Sequence, residues 1–240
     1  MPNNTILSVK EGKVDVSGYP GGFIGAQALA SGSRATANPT NSSPAFGWSY
    51  LSGRGGGTTT DIYRYFFAFD TSTYTSTITN PVLSLRGYGV YANDTPVVVR
   101  GKSGTYEAFD GGSRDIELQD YSRYSTLSAE QYWRSTQTFT SGWNDLALND
   151  SASIHISESN TFIICVMDGA SDYERRTPGS YGSDFTGFWG SGSAAYHPRL
   201  HFTSSATGWS AGSFNGVDHG DISRINGIEK IDIDELLQIK

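Results

Sequence analysis

The chain has 240 residues and a net charge of −7, with 29 glycines and 13% aromatic residues. This length suits one large β domain with small appendages. The negative charge, without any cluster of Lys and Arg, excludes a nucleic-acid groove. The single cysteine, Cys165, excludes an internal disulfide and a metal site built from several cysteines. Because Cys165 lies in the apolar run TFIICVMD, we expect it to be a buried and inert thiol.

The first 60 residues contain few strand patterns. The stretch TILSVKEGKVDVSG predicts a hairpin closed around Glu11 and Gly12, and the segments that follow are too small and polar to bury a core by themselves. We therefore predict that residues 1–60 form an extended arm, lying on the main domain or on a neighbouring subunit. No positively charged segment precedes an apolar one, and no run is long enough to span a bilayer, so we expect a soluble protein made in a cytoplasm, without a membrane partner.

Residues 61–204 have the pattern of an all-β domain, in which aromatic and β-branched runs alternate with clusters of Gly, Ser, Asn and Asp. In DIYRYFFAFD, alternation predicts a strand covered on both sides, with Tyr63, Tyr65, Phe67 and Phe69 on one face and Ile62, Arg64, Phe66 and Ala68 on the other. Further strands are predicted at residues 81–92, 95–101, 135–142, 143–148, 152–157, 161–169 and 194–204, and one helical turn at residues 127–133. Short strands at this spacing are typical of an antiparallel two-sheet sandwich.

The C-terminal residues differ in composition from the rest of the chain. Residues 205–216 have the composition of a flexible linker, and residues 217–240 predict a short hairpin and helix tail. Asn226 and Gly227 favour a tight turn that places Ile225 opposite Ile228, Arg224 opposite Glu229 and Ile222 opposite Ile231. After it, Asp232 is placed to cap a short helix.

Such a small apolar unit cannot bury its own surface. We expect it to dock on another polypeptide, and the alternative is that it folds back on the sandwich. The residues predicted to bind the partner are Ile222, Ile225, Ile228, Ile231, Ile233, Leu236 and Leu237.

Catalytic and metal-binding patterns are weak in this sequence. His197 and His201 have metal-like spacing only on a helix, and in a strand they would lie about 13 Å apart. The acidic residues Asp168, Asp172, Glu174 and Asp184 fall in one polar loop and offer, as an alternative, the acid and base of a glycosidase. We expect instead that the protein is not an enzyme and needs no cofactor and no metal ion.

Aromatic residues are dense in the polar segments around residues 121–133 and 181–196. Rings flanked by Gly and Ser can cover the ends of the sandwich, contact another subunit or stack on sugars. The candidates for glycan or subunit contact are Tyr121, Tyr124, Tyr132, Trp133, Phe188 and Trp189.

The order of these landmarks resembles a known type of module. The aromatic strand YFFAFD (65–70), the segment ITNPVLSLRGYGV (78–90), the strand WNDLAL, the apolar FIICV and the closing HPRLHF (197–202) resemble the jelly-roll modules of the DNRLRE and disaggregatase-related type. The resemblance covers about residues 60–204 and implies a fold similar to carbohydrate-binding modules, which recur on cell surfaces and phage virions. It departs at the polar insertions 102–126 and 168–193, so no sugar or calcium site carries over.

The tail carries a second resemblance, since DISRINGIEKIDID is similar to the Ile-Asn-Gly segments that end or link phage and prophage structural proteins. Together the two resemblances imply a structural protein of a bacteriophage virion, assembled in the host cytoplasm, that decorates the capsid or forms part of the tail or its fibres. It would dock on other virion proteins through its termini and form a homo-oligomer. The alternative is a carbohydrate-binding module that recognises a host surface polysaccharide.

Overall fold

A computed structural model describes residues 4–52, 57–91, 96–101, 115–134 and 139–204, together with the backbone of four two-residue strands between residues 213 and 229. The strands are β1 Asn4–Tyr19, β2 Arg34–Ala37, β3 Asn41–Ser52, β4 Thr58–Asp70, β5 Ile78–Tyr91, β6 Pro96–Arg100, β7 Gln131–Arg134, β8 Trp143–Ala147, β9 Thr161–Asp168, β10 Gly182–Trp189 and β11 Arg199–Ser204. The helices are α1 Phe23–Gln27 and α2 Asp150–Glu158, with 3₁₀ turns at Leu118–Ser122 and Ser128–Glu130 and a π-helical turn at Gly169–Tyr173. The all-β class is therefore confirmed.

The described strands form one continuous antiparallel sheet of eleven strands. β1 pairs with β11 through its first residues and with β4 through the rest, and β5 pairs first with β11 and β8 and then with β10. Since β10 also pairs with β3 and β3 with β4, the pairing closes a ring of six strands, β1, β11, β5, β10, β3 and β4. Irregular register within β1 and β5 lets these long strands turn the corners of the ring.

Two apolar clusters cover opposite faces of β4. The first contains Tyr65, Phe67 and Phe69 and lies inside the ring, where residues of β3, β5, β10 and β11 complete it. The second contains Phe66 and Ala68 and is covered by α1 and by residues 115–124. The alternation predicted for this strand is confirmed, and so is burial of the cysteine thiol, since Cys165 is fully buried in the second cluster.

Residues 4–52 are largely extended, as predicted, but they are part of the main sheet and not an arm that lies on it. Within residues 4–52, β1 is one strand of 16 residues with no hairpin at Glu11 and Gly12, and it pairs with β2, β4 and β11. Val14, Phe23 and Phe46 from this region are buried in the core. β1 has many small and polar residues, but it pairs with β4, whose aromatic residues form much of the core that both strands share.

Some other segments have a different secondary structure from the one predicted. Residues 152–157 form part of α2, because the Asn149 side chain accepts a hydrogen bond from the Ala152 amide and caps the helix. A strand is predicted at 135–142, but residues 139–142 do not form one, and residues 135–138 lie outside the described part. The helical turn predicted at 127–133 is confirmed only as the short 3₁₀ turn that precedes β7.

The remaining predicted strands are confirmed as β5, β6, β8, β9 and the second half of residues 194–204. Four strands, β2, β3, β7 and β10, are not predicted from the sequence. β2 and β3 lie in segments that are small and polar, β7 lies in the predicted helical turn, and β10 lies within the polar insertion 168–193. Gly47 in β3 has φ 120°, and a Cβ at this position would lie 2.2 Å from the Asp184 carbonyl oxygen of β10. Glycine thus permits the close approach of these two strands.

The C-terminal hairpin is confirmed in register, with Arg224 opposite Glu229 and Ile225 opposite Ile228. A second pair of short strands precedes it, with Ser213–Phe214 paired to Val217–Asp218 at the end of the predicted linker. The other residues of the predicted docking tail, Ile222, Ile231, Ile233, Leu236 and Leu237, lie outside the described residues. None of the described helices is long and apolar enough to cross a membrane.

Candidate ligand-binding groove

A groove lies on the outer face of the sheet formed by β11, β5 and β8. Leu200, Leu83 and Leu146 point into the core, so their neighbours on each strand point away from it. The outward side chains line a cavity of about 450 Å³: Val82, Ser84, Trp143, Asp145, Arg199 and His201.

Strand register places these side chains in rows. Arg199 is paired with Ser84, and Ser84 with Asp145, so one row crosses three adjacent strands. Strands in a sheet are about 4.8 Å apart, which spaces Arg199 and Asp145 by roughly 10 Å of backbone. His201 and Val82 form the next row. The groove is therefore built on a hydrogen-bonded sheet and not on loops, which favours a fixed arrangement of its side chains.

Several groove side chains are held in place by their neighbours. The Asp145 Oδ1 atom accepts a hydrogen bond of 2.5 Å from the Ser84 hydroxyl. The Arg199 guanidinium carbon lies 4.6 Å from the centroid of the Trp143 ring, a cation–π contact. The His201 Nδ1 atom is 2.8 Å from the Thr5 hydroxyl of β1. Side chains held before a ligand arrives lose less conformational entropy on binding.

The charge state of His201 follows from its surroundings. Partial burial lowers the pKa of His201, Asp145 opposes this effect and Arg199 adds to it. The imidazole is therefore neutral near pH 7, where it can both donate and accept a hydrogen bond. The groove then contains one cation, one anion and a neutral imidazole beside an indole ring.

This set of groups suits a ligand with both an apolar face and many hydroxyl groups. An indole ring provides a flat apolar surface, and a carboxylate, an imidazole, a hydroxyl and a guanidinium provide acceptors and donors at its side. A sugar ring has this combination, because its C–H groups and its hydroxyls point in different directions. Ligand sites in general combine an apolar lining with a few convergent polar groups.

The six aromatic residues predicted for glycan or subunit contact do not come together in this groove. Tyr121, Tyr132 and Phe188 are at most 1% exposed, so the prediction is wrong for these three, whose rings fill the two core clusters. Tyr124 and Trp133 pack against the same clusters while partly exposed.

Trp189 is the sixth of these aromatics, and it lies on the outer face near the groove. Its ring is 4.8 Å from the ring of Tyr88. Of the six aromatic residues, three are buried although glycine and serine lie near them in the sequence. Such neighbours therefore do not indicate exposure, because strand pairing decides which rings are covered.

Three of the four acidic residues of the predicted polar loop have structural partners. Both Asp172 oxygens accept hydrogen bonds from fully buried Arg64, at 2.6 and 2.7 Å. Asp168 accepts from the Asp172 amide at 3.1 Å, and burial raises the pKa of Asp168 to about 6. Glu174 pairs with Arg134. Asp184 lies on β10, and its Oδ1 atom is buried without a hydrogen-bond donor among the described residues. These side chains do not form the acid and base pair facing an open cleft that glycoside hydrolysis requires.

A second titratable cluster lies deep in the protein. Glu11 is fully buried and accepts hydrogen bonds from the Tyr65 hydroxyl at 3.1 Å, the Ser8 hydroxyl at 3.3 Å and the Ser191 amide. Burial raises the pKa of Glu11 to about 7, and its hydrogen bonds oppose that rise. Because the Glu11 carboxyl group is enclosed on all sides, we interpret the cluster as structural.

The two histidines with metal-like spacing have separate partners. His197 Nε2 lies 2.9 Å from the Ser8 carbonyl oxygen, and His201 bonds to Thr5. Among the described residues, no group of three or more His, Cys, Asp or Glu side chains is placed to hold a metal ion.

Sequence reasoning missed the groove residues, although a usable signal was present. WNDLAL and HPRLHF were interpreted only as strands. Their alternation places Trp143 and Asp145 on one face of the first strand, and Arg199 and His201 on one face of the second. Polar and aromatic residues two positions apart on one strand are therefore the pattern that indicates this site, and it occurs on both strands that flank β5.

Comparisons with known proteins add no assignment, because the sequence matches no protein-family model and no curated protein. The fold and the groove together define an all-β protein with a preformed surface site.

Proposed function

We propose that this protein is a non-enzymatic carbohydrate-binding module and that the groove on β11, β5 and β8 is its binding site. The observation that carries the proposal is the placement of Trp143 and Arg199 in contact, beside Asp145 and His201, on the two strands that flank β5 in one sheet. The indole ring stacks on a sugar, and the polar groups bind its hydroxyls.

The absence of enzymatic activity is part of this proposal. Hydrolysis of a glycosidic bond uses two carboxyl groups on either side of that bond. Of the six residues that line the described groove, Asp145 alone carries a carboxylate, and that carboxylate is bonded to Ser84. A groove with one engaged carboxylate supports binding and not cleavage.

Binding is tested by affinity electrophoresis and glycan arrays with the full chain and the variant Trp143→Ala. We expect reproducible retention by at least one polysaccharide and its loss in the variant. Tyr181→Ala is the matched control, because Tyr181 is 56% exposed and its ring contacts Tyr50 of β3, outside the groove. Equal retention of the Trp143→Ala variant and the parent chain would exclude this groove as the site, and release of reducing ends would replace binding with hydrolysis.

A second candidate role concerns the C-terminal segment. Ser213–Phe214 pairs with Val217–Asp218, and Arg224–Ile225 pairs with Ile228–Glu229. In the sequence an Asn-Gly dipeptide lies between the strands of each pair, and the second pair begins eleven residues after the first. Two successive hairpins of this size cannot bury a core by themselves, which supports attachment to other chains. We propose on this ground that the protein is a structural component of a phage virion, either in the capsid decoration or in the tail, and a homo-oligomer. We also propose that residues 60–204 are related to the jelly-roll modules of the DNRLRE and disaggregatase-related type, which they resemble in sequence.

Deletion of residues 217–240 tests the attachment. We expect the truncated chain to fold and to bind the same polysaccharide, but to be missing from assembled particles. Particles that carry the truncated chain at normal occupancy would contradict the docking role and would leave the binding module as the better account.

A further inference from the structure

The groove continues along β5 beyond Trp143. Arg86 of β5 is paired with Trp143 of β8, and the Arg86 guanidinium carbon lies 5.0 Å from the ring centroid of Tyr196. The ring of Tyr196 is 5.1 Å from that of Trp189, and Trp189 in turn contacts Tyr88. We call Arg86, Tyr88, Trp189 and Tyr196, together with the six groove residues, the aromatic–arginine strip.

The length of this strip is set by β5. Val82, Ser84, Arg86 and Tyr88 occupy alternate positions of one strand and so share its outer face. At about 3.4 Å per residue, Val82 and Tyr88 are separated by roughly 20 Å. A surface of that length spans several consecutive units of a polymer and is larger than a single sugar requires.

The two arginines of the strip differ from five other arginines among the described residues. Arg34, Arg64, Arg100, Arg134 and Arg176 form ion pairs with carboxylates. Neither Arg86 nor Arg199 forms an ion pair with a carboxylate of the described residues, and each instead lies against an aromatic ring. In a chain with 24 acidic residues against 17 basic ones, two cations without an acidic partner on one face indicate a site for an external anion.

The hydrogen bonding of Arg86 strengthens this interpretation. Its Nε atom is buried and has no hydrogen-bond acceptor among the described residues. A buried charged donor without an acceptor is costly. Because the Arg86 residue as a whole is partly exposed, a ligand oxygen on its guanidinium would offset part of that cost. The remaining charge on the strip is the Asp145 carboxylate, which already accepts from Ser84. With His201 neutral, the strip has an excess of positive charge.

We propose that the aromatic–arginine strip binds a chain of an anionic polysaccharide, with its carboxylate or sulfate groups on Arg86 and Arg199 and its sugar rings on the aromatic side chains. This inference rests on the proposed function and names the class of ligand for the same face. Planar guanidinium groups bind such oxyanions in a bidentate manner. At one end of the strip, guanidiniums and rings alternate in the order Arg199, Trp143, Arg86 and Tyr196. The rings of Trp189 and Tyr88 follow.

The test uses affinity electrophoresis of the full chain in gels that contain polygalacturonate or the same polymer after reduction of its carboxyl groups. Dextran sulfate and unmodified dextran form the second pair, which distinguishes sulfate from carboxylate. We expect retardation by an anionic polymer, loss of retardation with its uncharged counterpart, and weakening as salt screens the charges.

Variants assign the charge effect to the strip. Arg86→Gln and Arg199→Gln each remove a charge-assisted hydrogen bond, so we expect about a tenfold or larger loss of affinity for the anionic polymer. Arg86→Lys keeps the positive charge and should retain part of the affinity. Arg175→Gln is the matched control, because Arg175 is exposed and lies in the turn after β9, so we expect affinity to be unchanged.

The outcomes separate this inference from the proposed function. Equal retention by charged and uncharged polymers, with loss in Trp143→Ala, would overturn the anionic ligand and keep the glycan-binding role. Retention by no polysaccharide at all would overturn both. Self-association that Arg86→Gln abolishes would assign the strip to contact between copies of the chain, which also overturns the inference.

Discussion

The buried carboxyl group of Glu11 makes the stability of this protein depend on pH. Burial raises its pKa from 4.5 to about 7 in the folded state, so folding favours the protonated form. Below pH 4.5 the carboxyl is protonated in both folded and unfolded chains, and its contribution to stability is fully present. Above pH 7 it is ionised in both states, and that contribution is lost.

The size of the effect follows from the pKa difference. Each pKa unit corresponds to about 1.4 kcal/mol, so the free energy of unfolding should fall by roughly 3 kcal/mol between pH 4.5 and pH 7 through Glu11 alone. Asp168 acts in the same direction, because burial raises its pKa from 3.8 to about 6. The protein should therefore tolerate urea better near pH 5 than near pH 8.

The variant Glu11→Gln removes this dependence while keeping an acceptor for Tyr65 and Ser191. Urea unfolding at pH 5 and pH 8 measures it, and we expect a smaller difference between the two pH values in the variant than in the parent chain. Glu158→Gln, which changes an exposed glutamate by the same charge, controls for the net charge. An unchanged pH dependence in Glu11→Gln, equal to that of the control, would refute the reasoning.

Two further predictions concern buried contacts that fix the fold around the strands. Arg64→Met leaves the Asp172 carboxylate buried without its ion pair, so we expect a loss of about 3–5 kcal/mol in urea unfolding. The double variant with Asp172→Leu should recover most of that loss, and a single variant as stable as the parent would contradict the assignment. Asn149→Ala removes the cap of α2 and should cost about 1 kcal/mol, whereas Asn149→Ser should cost little because serine caps helices equally well. Equal stability losses for these two variants would indicate that capping is not what Asn149 contributes.

Local sequence was sufficient for elements whose partners did not have to be known. The strict alternation in β4 predicts a strand covered on both sides, because each face carries its own set of large apolar residues. The dipeptide Asn226-Gly227 predicts the register of the last hairpin, because Asn-Gly favours a two-residue loop and such a loop fixes which residues are paired. The observed pairs, Arg224 with Glu229 and Ile225 with Ile228, have this register. Cys165 lies in a run apolar enough to be buried in any strand arrangement.

Other features depended on which strands become neighbours. β1 has few large apolar residues, so its pattern did not predict a central strand, yet pairing with β4 and β11 places it in the ring. Burial of Glu11 follows from the same pairing.

The candidate site belongs wholly to this second group. Its residues come from three separate strands, near positions 84, 145 and 199, and only their register brings them into one row. Alternation along a strand assigns each side chain to a face, and this is encoded locally. Whether that face meets the core or the solvent is decided by the packing of distant strands. For that reason the sequence alone determined an all-β protein with a closing hairpin, and the tertiary structure decided which aromatic and charged side chains remain available to a ligand.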